Sequence, residues 1–326
     1  VPPAEQAASR RHTAERRRDG ARSAGETPAL HWALLALIAG QRLMSEVDTF
    51  STYPAELAWP KLALLAPLEH IKEPFRIVGR GDAFPPATNT FYGLEDVRGY
   101  EALTLAELVQ TWPRWSRPFG TWYQRVDELE NPFLSLMNVR FAIQSSALPV
   151  PAGWRLVMTH KGSALIENEH VIDRIFVPER VVVGGMNTGD MLTRMIGLRD
   201  FRTLAWIDAP GAIVERGNGP GRITLRSRSR GGEYVFDADM QGDGWAVISD
   251  SSWEGWRAYV NSRRVKMSRA NAAFLSVYLP AGKQTVRVVY MPTSFVRGRA
   301  ITFATLIVLV MVIVLRLRQR HVLQRE

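Results

Sequence analysis

Cysteine is absent from the 326-residue chain. That excludes disulfides, thiolate metal sites and a cysteine nucleophile. Histidine is scarce, and His12, His31, His70, His160, His170 and His321 show no metal-ligand spacing. No Gly-x-Ser-x-Gly elbow marks a serine hydrolase. Gly184-Gly185 lacks the Gly-Lys-Ser/Thr of a phosphate loop. Gly217-Asn-Gly219-Pro-Gly221 is read as lacking both the strand before it and the helix after it that a dinucleotide site needs. The pattern therefore points to no cofactor and no metal. Asp237 and Asp239 form an Asp-x-Asp pair, but strand alternation puts both on one face, as on a solvated sheet surface.

What is present is an ordinary globular composition, 46% apolar and 22% charged. This excludes wholesale disorder and a fully polytopic chain. The net charge is +9, and it gathers at the ends. Residues 1–29 carry six Arg against four acids, and 316–326 carry four Arg against one. Arginines beside apolar segments read as membrane-flanking charge rather than a nucleic-acid surface, so no nucleic acid is expected as partner.

Residues 1–29 have almost no large apolar side chains and read as a disordered basic cytoplasmic segment. Leu30–Ala39 is apolar but soon meets Gln41 and Arg42. Its insertion balance is near zero, so 30–46 reads as a partial transmembrane or interfacial helix. Ala300–Leu315 is uncharged, and its Leu, Ile, Phe and Val content favours insertion by about 4 kcal/mol. It reaches about 24 Å as a helix, and flanking arginines can snorkel to close the gap to a ~30 Å core. Residues 299–316 thus read as a transmembrane helix, with a basic cytoplasmic tail at 317–326. Both ends then lie inside, and 47–297 outside the membrane.

Between these ends, 47–215 reads as an α+β region. Thr104-Leu-Ala-Glu107 is a capping box opening a helix through Trp112. Trp59–His70 reads as a helix with Pro60 in its first turn. Strands are expected at 222–228, 233–239, 244–249, 256–260, 264–269, 273–279 and 284–291. That spacing makes 216–293 an antiparallel β-sandwich.

Two stretches stand out. Ile248-Ser-Asp-Ser-Ser-Trp253-Glu-Gly255-Trp256-Arg-Ala-Tyr259-Val-Asn261 reads as strand, tight turn, strand. Trp253 and Trp256 are either core anchors or a stacking platform for a sugar ring. Asn89-Thr-Phe-Tyr92-Gly93-Leu-Glu-Asp96-Val-Arg98-Gly99-Tyr100 is turn-rich and aromatic. It is either a carbohydrate-binding loop or an ordered loop in which Arg98 pairs with Asp96 or Glu95. The candidate binding residues are Asn89, Tyr92, Asp96, Arg98, Tyr100, Asp250, Trp253 and Trp256. Asp96 and Asp250 form the one carboxylate pair that would merit inspection for catalysis.

These stretches resemble the C-terminal part of YfhO-like bacterial membrane proteins. There a strand ends in Ser-Asp, an aromatic-Pro-Gly-Trp turn follows, and an Asp-Gly hairpin comes next. Here Glu254 replaces the proline and Asn261-Ser262 replaces Asp-Gly. The Asn89…Tyr92-Gly-Leu element, the Asn138-Val-Arg-Phe order after a short helix, Glu167-Asn168 before the Arg174 strand, and Leu279-Pro-Ala-Gly282 also resemble the family. The resemblance implies a membrane glycosyltransferase-like protein that takes sugar from a polyprenyl-phosphate donor to modify envelope polymers. In such enzymes the catalytic acid lies in an early external loop, ahead of the part resembled here. The chain is then expected to be a non-catalytic extracytoplasmic region. The alternative is a free-standing, membrane-tethered carbohydrate-binding module. Membrane lipid is the expected partner, with envelope glycan or polyprenyl-linked sugar as ligand.

Overall fold

The computed structural model describes residues 30–45, 54, 60–99, 104–119, 123–229 and 232–323. Residues 1–61 form one unit. Its described helix, α1, spans 30–45 and exposes nearly all of its side chains.

The second unit, residues 62–326, is mostly β-sheet. It opens with a 3-10 turn, Ala63–Leu68, which contains Pro67. The α-helix expected at 59–70 is therefore this shorter, tighter element, since Pro67 cannot donate the backbone bond an α-helix needs there. Next come β1 (Arg76–Gly79), α2 (Thr88–Phe91), α3 (Ala106–Trp115), the hairpin β2 (Arg117–Phe119) and β3 (Tyr123–Arg125), and α4 (Pro132–Leu136). After these come β4 (Val139–Ser145), β5 (Trp154–His160), β6 (Ser163–Asn168), β7 (Ile175–Phe176) and β8 (Arg180–Gly184). Then come α5 (Thr188–Arg194), β9 (Leu204–Asp208) and β10 (Val214–Gly217). The last part holds β11 (Gly221–Ser229), β12 (Glu233–Met240), β13 (Gly244–Ser251), β14 (Trp256–Val260), β15 (Arg263–Val265), β16 (Met267–Ala270), β17 (Phe274–Leu279), β18 (Gly282–Tyr290) and α6 (Thr293–Leu323).

The capping box does not form. The N-cap of α3 is Leu105, with no side-chain cap, and Thr104 lies outside. Asn131, by contrast, caps α4 by accepting from the Phe133 amide.

The strands make a four-stranded sheet (β1-β4-β6-β5), a seven-stranded sheet (β10-β8-β9-β16-β17-β13-β7), a five-stranded sheet (β11-β12-β18-β14-β15) and the β2-β3 hairpin. Sequence periodicity accounts for the layers. Strand β12 alternates, burying Tyr234, Phe236, Ala238 and Met240, so one face is packed and the other wet. Strand β13 begins Gly-Trp-Ala-Val-Ile and is buried on both faces. Its Ala246 and Ile248 pack with Phe236, Val286 and Val288 of the five-stranded sheet. Its Trp245 and Val247 pack the other way, with Phe133, Met191 and Trp206. The seven-stranded sheet is thus a shared middle layer, and it draws strands from both sides of residue 216.

Helix α6 exposes its apolar side chains from Ile301 to Leu315. Among the described residues, Thr293–Leu315 is the one helical stretch long and apolar enough to cross a membrane.

Candidate functional site

Local irregularities build the site. The β13–β17 pairing shifts register between Ile248 and Ser251. Ser249 and Asp250 are thereby released from the ladder, the usual way a bulge re-aims side chains. Ser249 instead receives Arg76 on its carbonyl, at 2.6 Å, and its amide donates to the Arg174 carbonyl at 2.8 Å. Asp250 turns into a cavity of about 760 Å³, within the range of small-ligand sites. The Thr90–Glu95 loop forms one wall and Ser251, Trp253 and Trp256 the other, with Arg76, Arg228 and Tyr290 between them.

Charge fills the base of this cleft. Glu95 accepts from Arg174 Nη2 at 2.9 Å, pairs closely with Arg228, and lies 3.8 Å from Arg76. Asp250 accepts from the Tyr234 hydroxyl at 2.5 Å and lies 3.8 Å from Arg76. Three guanidinium groups thus meet two carboxylates. Burial alone would raise the Glu95 pKa, but Arg174, Arg76 and Arg228 together hold it below the ordinary value. Burial, with Arg174 nearby, pushes Arg76 down to about 10. Burial and the Asp250 charge push Tyr234 up. Arg174 Nη1 and Arg228 Nε have no acceptor among the described residues.

The two tryptophans divide the roles that their spacing left open. Trp256 sits between Tyr234 and Tyr290, with ring centroids 6.2 and 5.4 Å away, and its indole donates to the Ser251 carbonyl at 3.1 Å. It is an anchor. Trp253 is 47% exposed and stands on the cavity rim. It is not a core residue.

The 89–100 stretch contributes backbone more than side chains. Asn89 is buried and closes the loop by donating from Nδ2 to the Leu94 carbonyl at 2.8 Å. Tyr92 packs against the Leu64–Phe141 core and lines a neighbouring cavity of about 410 Å³, which shares Glu95 and Arg228. Asp96 and Arg98 are a sealed pair, 2.7 Å apart, with side chains only 2% and 1% exposed. Arg98 also donates to the Phe84 carbonyl at 2.5 Å. Neither lines the cavity holding Asp250, so the Asp96–Asp250 carboxylates do not share a cleft. Tyr100 lies outside the described residues. Asp237 is ion-paired to Arg226 at 2.5 Å and accepts from Thr285 at 3.2 Å, while Asp239 is exposed. A strand, β10, does precede Gly217–Gly221, contrary to expectation, but strand β11 follows rather than a helix.

Sequence reasoning did not select Arg76, Glu95, Arg228 or Tyr234. The available signal was a charged residue beside an apolar strand: Arg76 before Ile77-Val78, and Arg174 before Ile175-Phe176.

The β-sheet unit is continuous with an exposed apolar helix long enough to cross a membrane. Residues 222–302, from β11 into the first turns of α6, match the family model for the bacterial membrane protein YfhO. The protein is YfhO-like over that region. No curated protein and no solved structure matches the chain.

Proposed function

We propose that this chain is a non-catalytic, extracytoplasmic carbohydrate-binding region of a YfhO-like membrane protein. Its role would be to hold an envelope polymer or a polyprenyl-linked sugar for glycosylation in the bacterial cell membrane. The observation that carries this reading is the Trp253 rim over a cleft lined by Arg76 and Arg228. An exposed indole face stacks on the apolar face of a sugar ring, while Arg228 and Arg76 donate to its oxygens. The membrane-flanking arginines favour both ends inside and 47–297 outside.

The carboxylates of the cleft support a binding role over a hydrolytic one. A glycoside-cleaving general acid needs a raised pKa. Glu95 is held down by three arginines, and Asp250 is engaged by Tyr234. The test is retention of bacterial envelope glycans on an array by the full chain in detergent. Wild type should bind and Trp253→Ala should lose binding by about tenfold, about 1.4 kcal/mol, as for one aromatic contact. Absence of binding by folded wild type, or binding indifferent to Trp253, would overturn the reading.

A further inference from the structure

A second cleft, of about 530 Å³, borders the same Trp253–Trp256 turn. Arg257, Arg264, Lys266 and Arg269 line it, with Glu254 the one acid among its lining residues. Arg269 is already paired with Asp208 at 3.0 Å. Among the described residues, no carboxylate lies within ion-pair distance of Arg257, Arg264 or Lys266, and the last two are exposed. The cleft therefore carries an unneutralised positive charge that the sugar-binding reading does not use.

Its position gives that charge a partner. The Arg257 guanidinium rests on Met291 Sδ at 3.7 Å. The Met291 amide donates to the Gly255 carbonyl at 2.8 Å, and Gly255 packs against Pro292. The turn is thus fixed to the two residues that precede α6. From Thr293 to Ala300, where the charge-free run begins, is about 10 Å of helix. The headgroup layer is about 5–7 Å deep on each side of the hydrocarbon. Arg297 and Arg299, both exposed, lie within that interval. Trp253, exposed between the two clefts, is a residue type enriched at this depth.

We propose that this basic cleft seats the phosphate headgroups of anionic membrane lipids and holds the Trp253 turn on the bilayer surface. Its basic residues do not line the sugar cavity, and the two clefts share only the Trp253 and Trp256 rings.

The absence of cysteine makes the test direct. A fluorophore on Ser252→Cys, an uncharged residue of the cleft lining, in the full chain reconstituted in phosphatidylcholine–phosphatidylglycerol nanodiscs, should be quenched by headgroup-spin-labelled lipid. In parallel, R257Q/R264Q/K266Q should retain phosphatidylglycerol over phosphatidylcholine at least about threefold less well than wild type, as expected when three basic contacts to a charged surface are removed. An unquenched label, or unchanged lipid preference in the triple variant, would overturn the proposal. Capture of soluble polyphosphate by wild type without any lipid preference would overturn it too, and would assign the cleft to a polyanion. The labelled single variant keeps the test decisive even if the triple variant folds poorly.

Discussion

The Tyr234 hydroxyl, near the start of β12, donates to Asp250 at 2.5 Å and so helps to hold the released end of β13. Tyr234→Phe removes the donor and leaves a partly buried carboxylate with Arg76 at 3.8 Å. The expected cost is about 1.5–2 kcal/mol, as for a hydrogen bond to a charged group. Urea denaturation of the full chain measures it. The pH dependence has a defined sign. The folded-state pKa of Tyr234 is raised, so its protonated form is favoured by folding. Its contribution is complete below the unfolded value near 10 and is lost as pH rises from there through the folded value. Tyr234→Phe should remove that alkaline component from the wild-type profile.

Glu95 is the acidic counterpart. It neutralises Arg174, whose side chain is 1% exposed, together with Arg228. Glu95→Gln should destabilise by about 3 kcal/mol, because a buried guanidinium loses its charge partner. The folded pKa of Glu95 is lowered, so its contribution is full above the unfolded value near 4.3 and is lost as pH falls through the folded value. A stability profile over pH 2–6 should show this acid loss in wild type, and a correspondingly flatter curve in Glu95→Gln.

The paired tryptophans should separate under alanine substitution. Trp256→Ala removes a ring packed between two tyrosines and an indole hydrogen bond, for an expected loss of about 3 kcal/mol. Trp253→Ala removes an exposed ring and should shift stability by about 0.5 kcal/mol or less. Thermal melts of the two variants side by side decide it; equal destabilisation would mean Trp253 is packed in solution.

That contrast shows how far sequence could reach. The spacing of turns between 222 and 291 located β11 to β14, β17 and β18 closely, because each strand's periodicity is local, but the single strand expected at 264–269 is two, β15 and β16, which join different sheets. Turn spacing could not show that β13, β16 and β17 join β7–β10 in one sheet, since strand order is set by long-range pairing. The clue was present in Trp245-Ala-Val-Ile248, an unbroken apolar run that requires cover on both faces. The two stretches singled out, around 90 and around 253, do meet across one cavity. Asp96 and Arg98 looked like site residues because charged loop residues look alike whether they face a ligand or each other. Arg76 and Arg228 escaped notice for the reverse reason: a lone arginine at a strand position has the pattern of a solvated face.

Helix α6 is long and apolar enough to cross a membrane, but the insertion balance has a modest margin. The apolar run from Ala300 contributes about −4 kcal/mol, and an arginine at mid-helix costs about +3. Val310→Arg should therefore bring the balance close to zero. Carbonate extraction of cell membranes should leave wild type in the pellet and release a substantial fraction of Val310→Arg. Full retention of the variant would mean another segment anchors the chain.

Gly255 links the site to that helix. Its φ of +114° is one that residues with a side chain rarely adopt. A Cβ there would lie 2.9 Å from Pro292 Cα, a backbone atom that cannot swing away. Gly255→Ala must either strain the turn or push Pro292 off it, breaking the Met291–Gly255 hydrogen bond. The expected cost is about 1–3 kcal/mol, the range for a residue held in a disfavoured conformation. The two routes differ in what they disturb. Pure strain lowers the melting temperature and leaves the Met291 amide protected from hydrogen exchange. Displacement of Pro292 exposes that amide and frees the Trp253 rim from the start of α6. We expect displacement, because the clash is with the Pro292 backbone, next to a single hydrogen bond. Hydrogen exchange at Met291 and Trp256 in Gly255→Ala, against wild type in the same detergent, separates them.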